Sequence, residues 1–209
     1  MKKAILGRKL GMSQIFTPAG IVIPVTIVEA GPCPIVQVKT AEKDGYEAIQ
    51  VGFGEKKEKN INKPVKGHFA KSQLKPKRYL REFRTEEGDK FEVGQEIKCD
   101  TFVVGDKVDV VGTTKGRGFT GTIQRWNTHR GPMAHGSGYH RGVGSLSANS
   151  NPSRVFKNKK MPGQYGHEQV TIKNLEIARV DKARNLLFIK GGIPGPKDSL
   201  VIVKQTLKV

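Results

Sequence analysis

The sequence predicts a mainly β protein: one closed β body with a few short helices, interrupted late in the chain by a long, irregular, basic insertion. Three observations predict it. Short runs rich in Val and Ile, broken by Gly and Pro, fill the first half of the chain and return at its end, the pattern of a barrel or sandwich. Between them, from Val110 to His167, there is no Asp and no Glu; Asp109 is the last carboxylate before that stretch and Glu168 the next after it. The formal net charge of +18 is also concentrated in two places rather than spread.

Taken in order, Ala4 to Leu6 is expected as a short strand and Gln14 to Thr17 as a second, with GRKLGM between them and a turn at Pro18-Ala19-Gly20. Ile21 to Glu29 is β-branched and reads as a strand in which Pro24 marks an edge or a bulge. Ile35 to Lys39 and Tyr46 to Phe53 alternate apolar and polar residues around a turn at Lys43-Asp44-Gly45. Pro64 opens a short helix through Val65, Phe69 and Leu74 with lysines on its outer side. Strands follow at Tyr79 to Thr85 and Val108 to Gly112. After the insertion, Gln169 to Val180 and Leu186 to Lys190 make a hairpin, and Leu200 to Lys204 closes the body. The strands that flank the insertion should pair, so the division expected is a body of residues 1–109 and 168–209 and an arm of residues 110–167.

The arm holds nine cations: Lys115, Arg117, Arg125, Arg130, Arg141, Arg154, Lys157, Lys159 and Lys160. A second basic module, residues 55–84, carries a net eight positive charges, which leaves a single one of the eighteen for the rest of the chain. A near-neutral body with two basic modules is the electrostatic footprint of nucleic-acid binding. A solvated linker has no reason to exclude Asp and Glu; a polyanion imposes that exclusion by repelling each carboxylate. Two legs of about 29 residues at roughly 3.3 Å each would reach at most ~95 Å. Ordering such an arm costs about 1–2 kcal/mol of backbone entropy per residue with no core to offset it, so the arm is expected to order on its partner. Within it, Trp126 reads as either a core or a base-stacking residue, and His129, His135 and His140 as polar contacts to bases or phosphates. In the second module, Lys63, Lys66, His68, Lys71, Lys75, Lys77 and Arg78 are candidate secondary contacts.

Other chemistries fit less well. Gly116-Arg117-Gly118-Phe119-Thr120-Gly121 is a literal G-x-G-x-x-G, but the residues about 20 positions on, where a dinucleotide site wants an acid, are His140 and Arg141. No Lys-Ser or Lys-Thr follows, as a P-loop requires. The arm histidines have no Cys or carboxylate neighbours for zinc, and no Asp for a Ser-His-Asp triad. No metal and no cofactor is therefore expected, and no enzyme; a DNA-binding or chromatin-like protein and a nucleotide-dependent enzyme stand as the other two classes. Cys33 and Cys99 are far apart in sequence and read as buried reduced thiols, with a single disulfide left open. The start, MKKAILGRKLGM, has too short an apolar run for a signal peptide, and no run nears the roughly 18 apolar residues of a membrane span, so a cytoplasmic location is expected.

The run Phe102-x6-Asp109-x2-Gly112-x-Thr114-x-Gly116-Arg117-Gly118-x2-Gly121-x3-Arg125 resembles the signature of the ribosomal protein L-three family of the large subunit. The opening GRKLGMSQIF and the run KNKKMPGQYGHEQVTIKNLEI are similar to its bacterial members, and the resemblance spans essentially the whole chain. It implies a structural, non-catalytic protein that binds 23S rRNA directly and early in subunit assembly. It implies a closed β-barrel of the translation-protein kind, neighboured by ribosomal proteins L-fourteen and L-nineteen. It further implies that the arm threads inward, its tip near the peptidyl transferase centre. That tip falls on Gly144, Ser145, Leu146, Ser147, Ala148, Asn149, Ser150, Asn151 and Pro152. Some bacterial members carry a methylated glutamine one residue before an asparagine there; Ala148 precedes Asn149 in this chain, so the position offers no amide to methylate.

Overall fold

The computed structural model describes residues 3–85 and 91–206; the expected body ranges also take in residues 1–2, 86–90 and 207–209, which lie outside that description. The chain forms two compact units, Met1–Thr113 with Gln169–Val209, and Thr114–Glu168.

The first unit contains a closed antiparallel barrel. Its strands are β1 (Ala4–Phe16), β2 (Val22–Ala30), β7 (Lys107–Thr113), β10 (Gln169–Asp181), β11 (Leu186–Lys190) and β12 (Leu200–Gln205), in the order β1-β12-β7-β10-β11-β2. The strands on either side of the insertion pair directly, Val110 opposite Ile172 and Thr113 opposite Gln169. Alternation explains the register: Val108 and Val110, Leu187 and Ile189, and Val201 and Val203 all turn inward and are fully buried. The acid-free stretch thus begins inside a barrel strand, where Val110 belongs to the core.

The remaining strands stand outside the barrel. β3 (Cys33–Lys39), β4 (Ala48–Glu55), β5 (Lys77–Arg84) and β6 (Glu96–Ile97) form a separate sheet in the order β5-β4-β3-β6. Its inner face brings Ile35, Ile49, Val51 and Phe83 into the same apolar cluster as Ile5, Val108 and Val203. Short helices interrupt these strands: α1 (Ala41–Asp44), stopped by Gly45 at φ 78°, and α2 (Lys63–Lys71). Pro64 stands in the first turn of α2, where its missing N–H is not needed, and Phe69 is the buried anchor of the helix.

Two sequence expectations change, and a third is made specific. The first two strands are one, β1, running through GRKLGM with a bulge between Lys9 and Gly11. The charges tolerated there each have a partner. Arg8 donates through Nε and Nη2 to Glu29 directly across the ladder (3.0 and 2.7 Å), and Lys9 Nζ donates to the carbonyls of Ile193 and Gly195 (2.9 and 2.8 Å). Gly7 lies in the same strand because a Cβ there would press on Val28 Cγ1 at 2.6 Å and Glu29 O at 2.7 Å. The turn expected at Lys43-Asp44-Gly45 is the end of a helical turn. Pro24, read as an edge or bulge marker, sits where the β2–β11 ladder has just ended at Val25; its carbonyl accepts from Gly191 N–H (2.9 Å) on that side, so its lack of an N–H costs no ladder bond.

Cys33 and Cys99 are both buried free thiols. Burial pushes the Cys33 thiol up to about 12, and the thiol donates to the Leu6 carbonyl at 3.4 Å. The folded state thereby favours the neutral thiol. That contribution is complete at neutral pH, below the unfolded thiol's range, and is lost as pH rises toward about 12. Iodoacetamide at neutral pH is expected to leave Cys33 unlabelled in the native protein and to modify it in urea; equal rates in both states would contradict the burial.

Candidate nucleic-acid interface

The unit Thr114–Glu168 has no apolar core of its own, so its two legs are held by backbone bonds and a few side-chain clasps. Thr114 N–H donates to Glu168 O (2.9 Å), Glu168 N–H to Thr114 Oγ1 (3.2 Å), and Arg117 N–H to Tyr165 O (2.8 Å). Beyond them β8 (Gly118–Thr120) pairs antiparallel with β9 (Gly163–Tyr165), and a single helical turn, α3 (Thr122–Trp126), follows Gly121. Asn127 ends that turn in the left-handed region at φ 55°, a conformation Asn tolerates.

Two of the sequence-predicted contact residues are spent inside this stem. Arg125 Nη1 and Trp126 Nε1 both donate to the Met161 carbonyl, each at 2.9 Å. The Arg125 guanidinium lies 4.9 Å from the Trp126 ring centroid, and the Lys160 ammonium lies 5.9 Å from it. The Arg125 guanidinium packs against Gly163, and Gly166, at φ 72°, is glycine because a Cβ would collide with the Lys115 carbonyl. Trp126 is thus neither a core residue nor simply exposed: one indole edge fastens the opposite leg while 39 % of the residue remains open.

Further out, Gly131 N–H donates to His140 O, and the His140 Nδ1–H donates to the Pro132 carbonyl, both at 2.9 Å. Because a carbonyl only accepts, that contact places a proton on Nδ1. The Tyr139 ring packs over Gly142, where any side chain would overlap it. In the segment expected as the tip, Ser153 N–H donates to Asn149 O (3.1 Å) and Ser153 Oγ to Ser150 O (2.8 Å), which fold the chain back. Of the residues Gly144 to Pro152 only Ala148 is half-buried; the others are exposed.

The electrostatics of this unit are one-sided. Lys115, Arg117, Arg130, Arg141, Arg154, Lys157 and Lys160 are exposed, Arg125 and Lys159 half-buried, and His129 and His135 exposed. Among the described residues, none of the nine arm cations forms a salt bridge. In the first unit, by contrast, Lys3 meets Asp106 at 2.9 Å, Arg8 meets Glu29 at 2.7 Å and Lys39 meets Glu82 at 2.9 Å.

Aromatic residues that charge counting missed stand among these cations. Phe119 is 80 % exposed on β8, and Phe156, Tyr139 and Tyr165 are also exposed. Arg154 lies 5.5 Å from the centroid of Phe156. The signal was in the sequence: the stretch is too poor in apolar residues to bury these rings.

The secondary module divides in the same way. Lys63, Lys66 and Lys71 are exposed on α2, Lys75 is exposed before β5, and on β5 Arg78 is exposed and Lys77 half-buried. His68 turns inward, its Nε2 donating to Gln50 Oε1 at 2.7 Å and its ring meeting Phe69 edge-on. Glu82, one of the module's acids, is held below the usual carboxylate range, first by the hydrogen bond from Lys39 and then by that from Tyr46. Its charge is therefore answered internally.

The G-x-G-x-x-G motif lacks a nucleotide site's setting. Gly118 and Gly121 lie on an antiparallel ribbon and before a five-residue helical turn, not in a parallel strand–turn–helix unit. Among the described residues no group of three or more His, Cys, Asp or Glu side chains is arranged to hold a metal ion, and no helix is long and apolar enough to cross a membrane.

A barrel with an insertion whose nine cations have no carboxylate partner among the described residues has the charge pattern of the nucleic-acid-binding class. Residues 88–186 match the family model described as Ribosomal protein L3. Over 208 residues, covering 100 % of this chain and 99 % of the relative, the sequence is 60 % identical to the Large ribosomal subunit protein uL3 of Pelotomaculum thermopropionicum. The chain belongs to the ribosomal protein L3 family.

Proposed function

We propose that the protein is a structural constituent of the large ribosomal subunit in the cytoplasm, binds 23S rRNA directly, and works early in assembly without a catalytic role of its own. The arm of residues 110–167 enters the folded RNA, with its cations on phosphates and its exposed rings against bases. The segment Gly144 to Pro152 lies near the peptidyl transferase centre, where small side chains fill space between nucleotides rather than perform chemistry. Arg125 and Trp126 hold the two legs together, and Lys63, Lys66, Lys71, Lys75, Lys77 and Arg78 add a second contact. Ribosomal proteins L-fourteen and L-nineteen are the expected neighbours. The observation that carries this reading is the contrast in charge pairing: in the body Lys3, Arg8, Lys39, Lys98 and Lys190 meet carboxylates, whereas among the described residues none of the arm's nine cations does.

The test is binding to 23S rRNA fragments and to matched duplex DNA across a salt series. With some 6–10 phosphate contacts, affinity is expected to fall by about 10³–10⁵-fold between about 50 and 200 mM salt. Preference for one rRNA fragment that persists at physiological salt is the expected result. Equal binding to every polyanion, vanishing with salt, would reduce the protein to a generic polycation and overturn the reading.

A further inference from the structure

From Leu10 to Val28 the chain has nineteen consecutive residues without Asp, Glu, Lys, Arg or His, in a sequence that is 27 % charged. This run is the outer part of the β1–β2 hairpin. β12 pairs with β1 only over Ala4 to Arg8, and β11 with β2 only over Val25 to Glu29. Past those points β1 and β2 continue as a two-stranded ribbon to Phe16 and Val22.

The hydrogen-bond pattern shows which backbone groups the ribbon leaves open. Thr17 N–H donates to Ile21 O (2.9 Å), so the groups of Thr17, Ile15 and Ser13 face β2. Those of Met12, Gln14 and Phe16 face away. Pro24, opposite Gln14, likewise turns its carbonyl away from β1, toward Gly191. Among the described residues no strand pairs with that outer edge of β1. On one face of the ribbon stand Met12, 58 % exposed, and Phe16, 62 %, with Val22, 47 %, directly opposite Phe16. Ile21, 63 % exposed, caps the turn.

Exposed β edges are ordinarily blunted by lysine, inward charges or bulges. This edge has none of those devices beyond Gly11, and an apolar face beside it. Nor does it suit phosphates, since no cation lies within the run. We propose that this ribbon is the protein's docking surface for another protein, one that offers a neutral apolar face and an unpaired β-strand to the edge at Met12, Gln14 and Phe16. The two basic modules would then take the RNA and the neutral hairpin a protein, a division of surfaces within one chain. The inference rests on the proposed place in the large subunit.

The experiment places the photocrosslinker p-benzoylphenylalanine at position 16 and reconstitutes large subunits from 23S rRNA, this chain and total large-subunit proteins. The expected result is that one protein takes most of the adduct, joined through a peptide free of Lys, Arg, Asp and Glu. An adduct chiefly on rRNA, or none although the chain sediments with the subunit, overturns the docking surface. If the chain fails to enter the subunit, it is the proposed function that is in error. Irradiation of the chain with the same proteins and no RNA then decides the surface, a single protein adduct supporting it and none overturning it. Phe16→Lys with Met12→Lys, crosslinked from position 22, is expected to lower the protein adduct at least tenfold while leaving the salt dependence of rRNA binding unchanged; an unchanged adduct also overturns it.

Discussion

Replacing Lys115, Arg117 and Lys157 together by alanine is expected to weaken rRNA binding by about two orders of magnitude at ~0.15 M salt and to lower the slope of log K against log salt by about three. All three side chains are exposed, and no carboxylate neutralises them among the described residues. Each phosphate contact releases close to one counterion, which at that salt is worth roughly a factor of five per contact. The effect should be the same for every RNA sequence that the arm still fits, because these residues position the protein and do not read bases. An affinity loss with an unchanged slope would mean that the substitutions had disturbed the arm's conformation instead. Arg125→Ala is the contrasting variant. Its guanidinium holds the Met161 carbonyl, so its loss should loosen the stem and reduce affinity by more than one charge accounts for.

Phe102→Ala and Phe119→Ala are expected to have opposite consequences although the same side chain is removed. Phe102 is 2 % exposed in the core shared by the barrel and the second sheet. Truncating it leaves a cavity and should cost about 3–5 kcal/mol, a large part of the roughly 5–15 kcal/mol that a domain has. Phe119 is 80 % exposed, so its truncation should change stability by no more than about 0.5 kcal/mol. It should instead cost about 1–3 kcal/mol of RNA affinity if a base stacks there, roughly 5- to 150-fold. Urea unfolding and RNA titration of both variants separate the two. A Phe119 variant that binds RNA like the parent would remove that ring from the interface.

The insertion was legible in the sequence because its signal is compositional. Excluding carboxylates from Val110 to His167 needs no tertiary knowledge to detect, and the cations it leaves behind are mostly exposed. The β body was legible for a similar reason: short apolar runs such as Leu186 to Lys190 and Leu200 to Lys204, bounded by turn residues, mark strands whatever sheet they join. Local pattern misled where long-range partners decide the outcome. GRKLGM looked like a break between two strands, yet it lies within β1 because Glu29, Ile193 and Gly195, remote in sequence, answer Arg8 and Lys9. His68 counted as one more basic contact until Gln50 drew it inward.

By itself, then, the sequence determined the β character of this protein and the one-signed charge of its insertion, since strand period and net charge are properties of consecutive residues. Only the tertiary structure decided that six strands close the barrel while β3 to β6 form a second sheet. It also decided that Arg125 and Trp126 clasp the arm from within, and that the β1 edge at Met12, Gln14 and Phe16 has no strand against it among the described residues. Pairing, clasping and edge exposure depend on which distant groups satisfy each donor and acceptor, and a linear pattern does not specify those partners.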